Sequence, residues 1–161
     1  MKKFSLIFLL AVCFGTLGFA QDFSFDDLAR LRTVSHPSFE SAAHDKGYSL
    51  DHVEYNDRCI VYRKKDNVIS YCKMLDRGMH NHAHVSVKLE TASRDQYEKI
   101  KREVDAKMKY LKSKTRRFTT QHYIEHIYAS DDLVVHLYDI SYRDDSEPYY
   151  EIEVFSIYSG H

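Results

Sequence analysis

The side chains with the clearest capacity for chemistry lie in the run Met79-His80-Asn81-His82-Ala83-His84. In an extended chain, alternate residues project to one side, so His80, His82 and His84 would share a face. Imidazoles at that spacing suit Zn²⁺ or Cu²⁺. A tetrahedral site built on one strand needs a further ligand from elsewhere. The competing role is a solvated, histidine-rich strand start that continues into Ser86, Lys88 and Glu90.

A second pair is Cys59 and Cys72, which sit in β-type runs from Arg58 to Arg63 and from Val68 to Lys73. Lys64-Lys65-Asp66-Asn67 between them has the composition of a tight turn. A turn centred on Lys65-Asp66 pairs Lys64 with Asn67 and sets Cys59 directly opposite Cys72. Counting back from the turn, the pair falls at a non-hydrogen-bonded position, where side chains approach most closely. The spacing predicts a Cys59–Cys72 disulfide.

Two further groups suit contact with a partner. Tyrosines crowd the C-terminal third, and Tyr149 lies in phase with Glu151 and Glu153. An exposed tyrosine beside carboxylates is a good protein-contact anchor. Nine cations fall between Lys99 and Arg117, ending in Arg116 and Arg117, with only Glu103 and Asp105 as acids. Such a run fits an anionic partner, or the solvent face of a helix and its exit. No nucleophile elbow, phosphate-binding glycine loop or HExxH occurs, and the chain has only five glycines. No catalytic residue is therefore assigned from motifs.

The elements that must position these groups follow from periodicity. Ser24 with Asp27 forms a capping-box pattern, and Phe23 with Leu28 a hydrophobic staple. Phe25, Leu28 and Leu31 continue at helical spacing. Ser35-His36-Pro37 ends that helix and opens a second, with Phe39, Ala42, Ala43 and Lys46 on one face and Gly47 as its stop. Strands are expected at Tyr48–Tyr55, at the cysteine hairpin and at Ala83–Thr91. Ser93 with Gln96 then caps a long helix whose apolar stripe is Tyr97, Ile100, Val104, Met108 and Leu111. Strands at Phe118–Tyr128, Leu133–Tyr142 and Tyr149–Tyr158 close the chain. The expected fold is α+β, in the order ααββββ-αβββ: an antiparallel sheet of about seven strands with helices on one face. His52–Val61 (HVEYNDRCIV) aligns with His126–Val135 (HIYASDDLVV) at an offset of 74, suggesting tandem halves, 21–91 and 92–161.

The N-terminus sets the compartment. Met1-Lys2-Lys3, an apolar run from Phe4 to about Phe14, and the small-residue exit to Ala20 are the three parts of a secretory signal. Cleavage is expected after Ala20, leaving a single domain over 21–161. The apolar run is shorter than the roughly 20 residues a membrane span needs. An alternative is lipid attachment at Cys13 within Leu10-Ala11-Val12-Cys13. The chain carries 23 Lys and Arg against 24 Asp and Glu, a formal charge of −1, and loss of Lys2 and Lys3 takes it to −3. That balance gives no general attraction to nucleic acid. The compartment expected is the periplasm or the exterior, which favours disulfides.

The segments FSFDDLARL, FESAAHDKGY and YYEIEVFSIY, with a signal ending in FAQ, resemble a group of small secreted proteins from Bacteroidetes. The succession of helix and antiparallel sheet in halves of about 75 residues is similar to the tandem architecture of β-lactamase inhibitor proteins. Neither resemblance supplies functional residues. Together these features imply an exported, non-catalytic protein-binding module of inhibitor or immunity type, with a protein partner in the envelope or outside the cell. The alternatives are an envelope metal-binding protein using His80, His82 and His84, and an envelope enzyme with an unrecognised site.

Overall fold

The computed structural model describes residues 22–54, 58–75, 83–142 and 146–156. Its order is α1 (Phe25–Leu31), α2 (His36–Asp45), β1 (Ser49–Glu54), β2 (Cys59–Lys64), β3 (Asn67–Leu75), β4 (Ala83–Thr91), α3 (Arg94–Lys107), β5 (Lys109–Arg117), β6 (Gln121–Ala129), β7 (Leu133–Tyr142) and β8 (Tyr149–Ser156). The fold is α+β, as the sequence implied, with eight strands where about seven were expected. All eight form one antiparallel sheet in the spatial order β1-β2-β3-β4-β8-β7-β6-β5. Two four-strand meanders thus meet along β4 and β8, and among the described residues β1 and β5 are the edge strands.

The helix starts follow their sequence signals. The Ser24 hydroxyl accepts the Asp27 N–H at 3.2 Å, and the Asp27 carboxylate accepts the Ser24 N–H at 3.1 Å. Burial alone would raise the Asp27 carboxyl, but the Ser24 N–H and Lys46 beside it hold it below its usual range. α2 carries Pro37 in its first turn, and Gly47 just beyond it takes φ +83°. That left-handed conformation is open to glycine at little cost. At α3 the Ser93 hydroxyl accepts the Gln96 N–H, but the expected reciprocal bond is replaced. Thr91 Oγ1 takes the Ser93 N–H at 3.0 Å, and Gln96 Oε1 accepts from Thr91 and from Asn67 on β3, each at 3.2 Å.

One expectation is corrected at the end of α3. The stripe Tyr97, Ile100 and Val104 is buried and Met108 packs beside it, but the helix stops at Lys107. Met108 is extended, and Leu111 stands 49% exposed on β5. The helix stops where its apolar stripe has already been used, and the polar segment beyond gains main-chain bonds by pairing with β6. The basic run therefore divides: Lys99, Lys101, Arg102 and Lys107 belong to α3, and the other five cations to the edge strand. The two acids in that run serve packing. Glu103 accepts the Phe25 N–H at 2.8 Å at the start of α1, and Asp105 accepts the Tyr128 hydroxyl at 2.7 Å.

All three helices cover one face of the sheet. Their buried residues, among them Leu28, Phe39, Tyr97, Ile100 and Val104, form one core with Tyr62, Ile69, Tyr71, Val87, Leu89, Val135, Leu137, Ile152 and Val154. These strand residues alternate along each strand and align across the ladders, so they point to the same side. Tyr97 stacks on Tyr150 with centroids 4.6 Å apart.

The ten-residue match at offset 74 equates the β1–β2 junction with the β6–β7 junction. Those junctions stand at different positions in the two meanders, since β1 and β5 are the respective first strands. The offset is therefore out of step with the succession of strands.

The cysteine hairpin has the expected register, Cys59↔Cys72 and Lys64↔Asn67, with Lys65 at φ 54° in the two-residue loop. Cys59 and Cys72 are joined by a disulfide, with Cα atoms 4.0 Å apart. The Lys73 N–H donates to the Arg58 carbonyl, which makes the adjoining cysteine pair non-hydrogen-bonded.

Candidate functional site

The face of the sheet opposite the helices carries the second set of alternating residues. Across the strands these fall into transverse rows. One row reads Lys88 (β4), Glu153 (β8), His136 (β7), Ile127 (β6) and Lys112 (β5). The next reads Glu90, Glu151, Tyr138, Glu125 and Lys114. A third reads Tyr149, Ile140, Tyr123 and Arg116. The face is thus carboxylates, tyrosines and a histidine at its middle, with cations toward β5.

Among the described residues, flanking side chains of the sheet itself bury the centre. Glu125 is only 6% exposed, lying between Tyr138 and Lys114 in its row. Its Oε1 accepts the Tyr138 hydroxyl at 3.2 Å and lies 3.1 Å from Nδ1 of His136. Nδ1 is also 3.0 Å from the Tyr138 oxygen. The Lys114 ammonium stands 3.7 Å from the other carboxylate oxygen. Burial holds His136 below its ordinary pKa; Glu125 and Glu153 oppose that shift, and Lys114 adds to it. A neutral ring this close to a carboxylate oxygen requires its proton on Nδ1. Burial, reinforced by the neighbouring carboxylates, also raises the Tyr138 phenol.

A second centre joins Lys88, Glu90 and Glu151. The Lys88 ammonium is 2.8 Å from Glu90 and 3.8 Å from Glu151. Burial pushes the Glu151 carboxyl up to about 7; Lys88 pulls it down, and Glu90 and Glu153 push it further up. Burial works against the charge on Lys88, but the three carboxylates around it raise its pKa on balance. Tyr149 stacks on Tyr142 with centroids 6.0 Å apart, and burial raises its phenol. The His136 ring meets Phe155 edge-on at 5.0 Å.

The residues singled out in the sequence are placed as follows. Tyr149, Glu151, Glu153 and Arg116 all lie on this open face, and Arg117, one position on, points from the opposite side of β5. Tyr149, Glu151 and Glu153 are half-buried, so they line the face more than they project from it. His80 and His82 fall outside the described residues, and His84, on β4, stands opposite Met74 of β3 in the ladder. Among the described residues no group of three His, Cys, Asp or Glu side chains is arranged to hold a metal.

The sequence reading missed Glu125, His136 and Tyr138 as one cluster, and Lys88 as the cation beside Glu151. A signal for Glu125 was available: an acid alternating with Tyr123 and Ile127 on one side of a strand implies a partner across the sheet. Comparison with protein-family models, with curated proteins and with solved structures finds no match to the chain. No helix among the described residues is long and apolar enough to cross a membrane.

Proposed function

We propose that the protein is an exported, non-catalytic binding module of inhibitor or immunity type, and that it meets a protein partner with the sheet face opposite its described helices, at Tyr149, Glu151 and Glu153. The observation that carries this reading is the composition of that face. Half-buried tyrosines and carboxylates are held in fixed rows by a rigid antiparallel ladder, which lowers the ordering cost of binding. Glu151 is the group most responsive to a partner. A cationic side chain docked beside it would favour its ionised form and would replace water lost from an already crowded carboxylate. The Cys59–Cys72 disulfide and the signal-like N-terminus support a site of action in the periplasm or outside the cell.

The test is affinity capture with the tagged, oxidised protein against envelope and secreted fractions, comparing it with Tyr149→Ala and Glu151→Ala. A stoichiometric protein retained by the parent and lost by both variants is the expected result. A partner retained equally by all three removes this face as the contact surface.

A further inference from the structure

The two free edges of the sheet differ in how their charge is used. On β1, Asp51 is already held by Arg63 at 3.0 Å, and the His52 ring bridges Asp51 and Glu54 at 3.1 and 3.2 Å. On β5, all nine residues are exposed, and five are cations: Lys109, Lys112, Lys114, Arg116 and Arg117. Among the described residues only Lys114 of these five has a carboxylate within ion-pair range, namely Glu125.

The backbone of β5 is equally open, and its alternation is fixed. The Phe118 N–H donates to the Gln121 carbonyl at 2.8 Å in the β5–β6 turn. Counting by twos from that pair, Arg116, Lys114 and Lys112 exchange main-chain hydrogen bonds with Tyr123, Glu125 and Ile127. Ser113, Thr115 and Arg117 therefore turn their N–H and C=O groups outward, away from β6. Lys112, Lys114 and Arg116 carry side chains on alternate residues of the open face. Among the described residues, the edge thus offers a row of main-chain groups with no strand beside them, next to a row of cations with the period of a β-strand.

We infer that this edge receives an extended acidic segment of a partner protein, which adds antiparallel to β5 as a ninth strand. Its main chain would pair with Ser113, Thr115 and Arg117, and carboxylates on its alternate residues would stand against Lys112, Lys114 and Arg116. Cations along an edge deter pairing with copies of the same strand, since like charges would stand opposite one another. The same charges favour an acidic strand. The β1 edge of a second copy is a poor match, being six residues long with its acids already engaged. This inference stands apart from the proposed contact at Tyr149, Glu151 and Glu153, and either can fail alone.

The probe is a fluorescein-labelled nine-residue peptide of alternating glutamate and threonine, titrated with the purified, oxidised protein and read by anisotropy. In the inferred register the threonine amides face β5 and the glutamate amides face away. N-methylation of the threonine amides should weaken binding about tenfold or more, and N-methylation of the glutamate amides should change it less than about twofold. In the protein, Thr115→Pro removes one outward donor at an edge position that tolerates proline. It should weaken the unmodified peptide by about tenfold with unchanged melting temperature. The two methylated peptides decide the matter even if that variant misfolds. Equal binding of both would show diffuse charge attraction and overturn the strand addition, as would the absence of saturable binding by the unmodified peptide.

Discussion

Tyr138 and Glu125 face each other across the β6–β7 ladder, and the phenol donates to the carboxylate at 3.2 Å on the face opposite the three described helices. Glu125 is buried because Tyr138 and Lys114 flank it, so the bond satisfies an acid that water does not reach freely. Tyr138→Phe keeps the ring and removes the donor. The expected cost is about 1–2 kcal/mol, from a buried acceptor losing one partner while His136 and Lys114 remain. Chemical denaturation would show it as a lower midpoint with unchanged slope. An unchanged midpoint would mean that the Glu125 carboxylate draws nothing from Tyr138.

Two groups on this face tie stability to pH with opposite sign. Burial raises the folded carboxyl of Glu151 from its ordinary 4.5 to about 7. The folded protein therefore holds that proton more tightly than the unfolded chain. The resulting stability is fully present below about pH 4.5 and is lost as pH rises through about 7. His136 has a depressed folded value, so its contribution is present above about 6.5 and is lost as pH falls. Glu151→Gln isolates the first effect. Relative to the parent, the variant should gain stability between pH 4.5 and 7.5, on the order of 2 kcal/mol. Parallel stability–pH curves for the two proteins would exclude Glu151 as a titrating group in that window.

What was legible in the sequence was local. The cysteine hairpin could be read because period-two alternation and a short turn fix register within fourteen residues, from Cys59 to Cys72. The helix starts at Ser24 and Ser93 could be read because a cap and its partner lie three residues apart. Strand β5 was not legible, since Met108 and Leu111 extend the helical spacing of Val104 and no apolar alternation follows. Its structure comes from pairing with β6, a tertiary effect that outweighs local propensity. The polar groups of the open face were hidden for a related reason: Glu125 meets His136 only once β6 pairs with β7, and Lys88 meets Glu151 only once β4 pairs with β8. That junction links the first meander to the last strand of the second.

The disulfide yields a prediction of limited size. Cys59 and Cys72 are separated by 13 residues and already paired by the ladder. Reduction should therefore cost about 2–3 kcal/mol and leave the fold in place. Intact mass should rise by about 2 Da on reduction, the two hydrogens gained when one disulfide opens. Denaturation with and without reductant should differ for the parent and coincide for Cys59→Ala/Cys72→Ala. A parent that is indifferent to reductant would show that the bridge adds nothing beyond the hydrogen-bonded hairpin.

The boundary between α3 and β5 can be tested at Leu111. A helix continuing past Met108 would bury Leu111 with Val104 and Ile100, and a charge there would cost several kcal/mol. On the edge strand Leu111 is half exposed, at the register shift between Tyr110 and Lys112. Leu111→Asp should therefore change stability by no more than about 0.5 kcal/mol, as an ordinary surface substitution does. Val104→Ala, by contrast, removes two methyl groups from a fully buried site and should cost about 1–3 kcal/mol. The pair of variants separates the two arrangements without a new structure. If Leu111→Asp costs as much as Val104→Ala, residue 111 is core, and the open edge that β5 offers to a partner strand is lost with it.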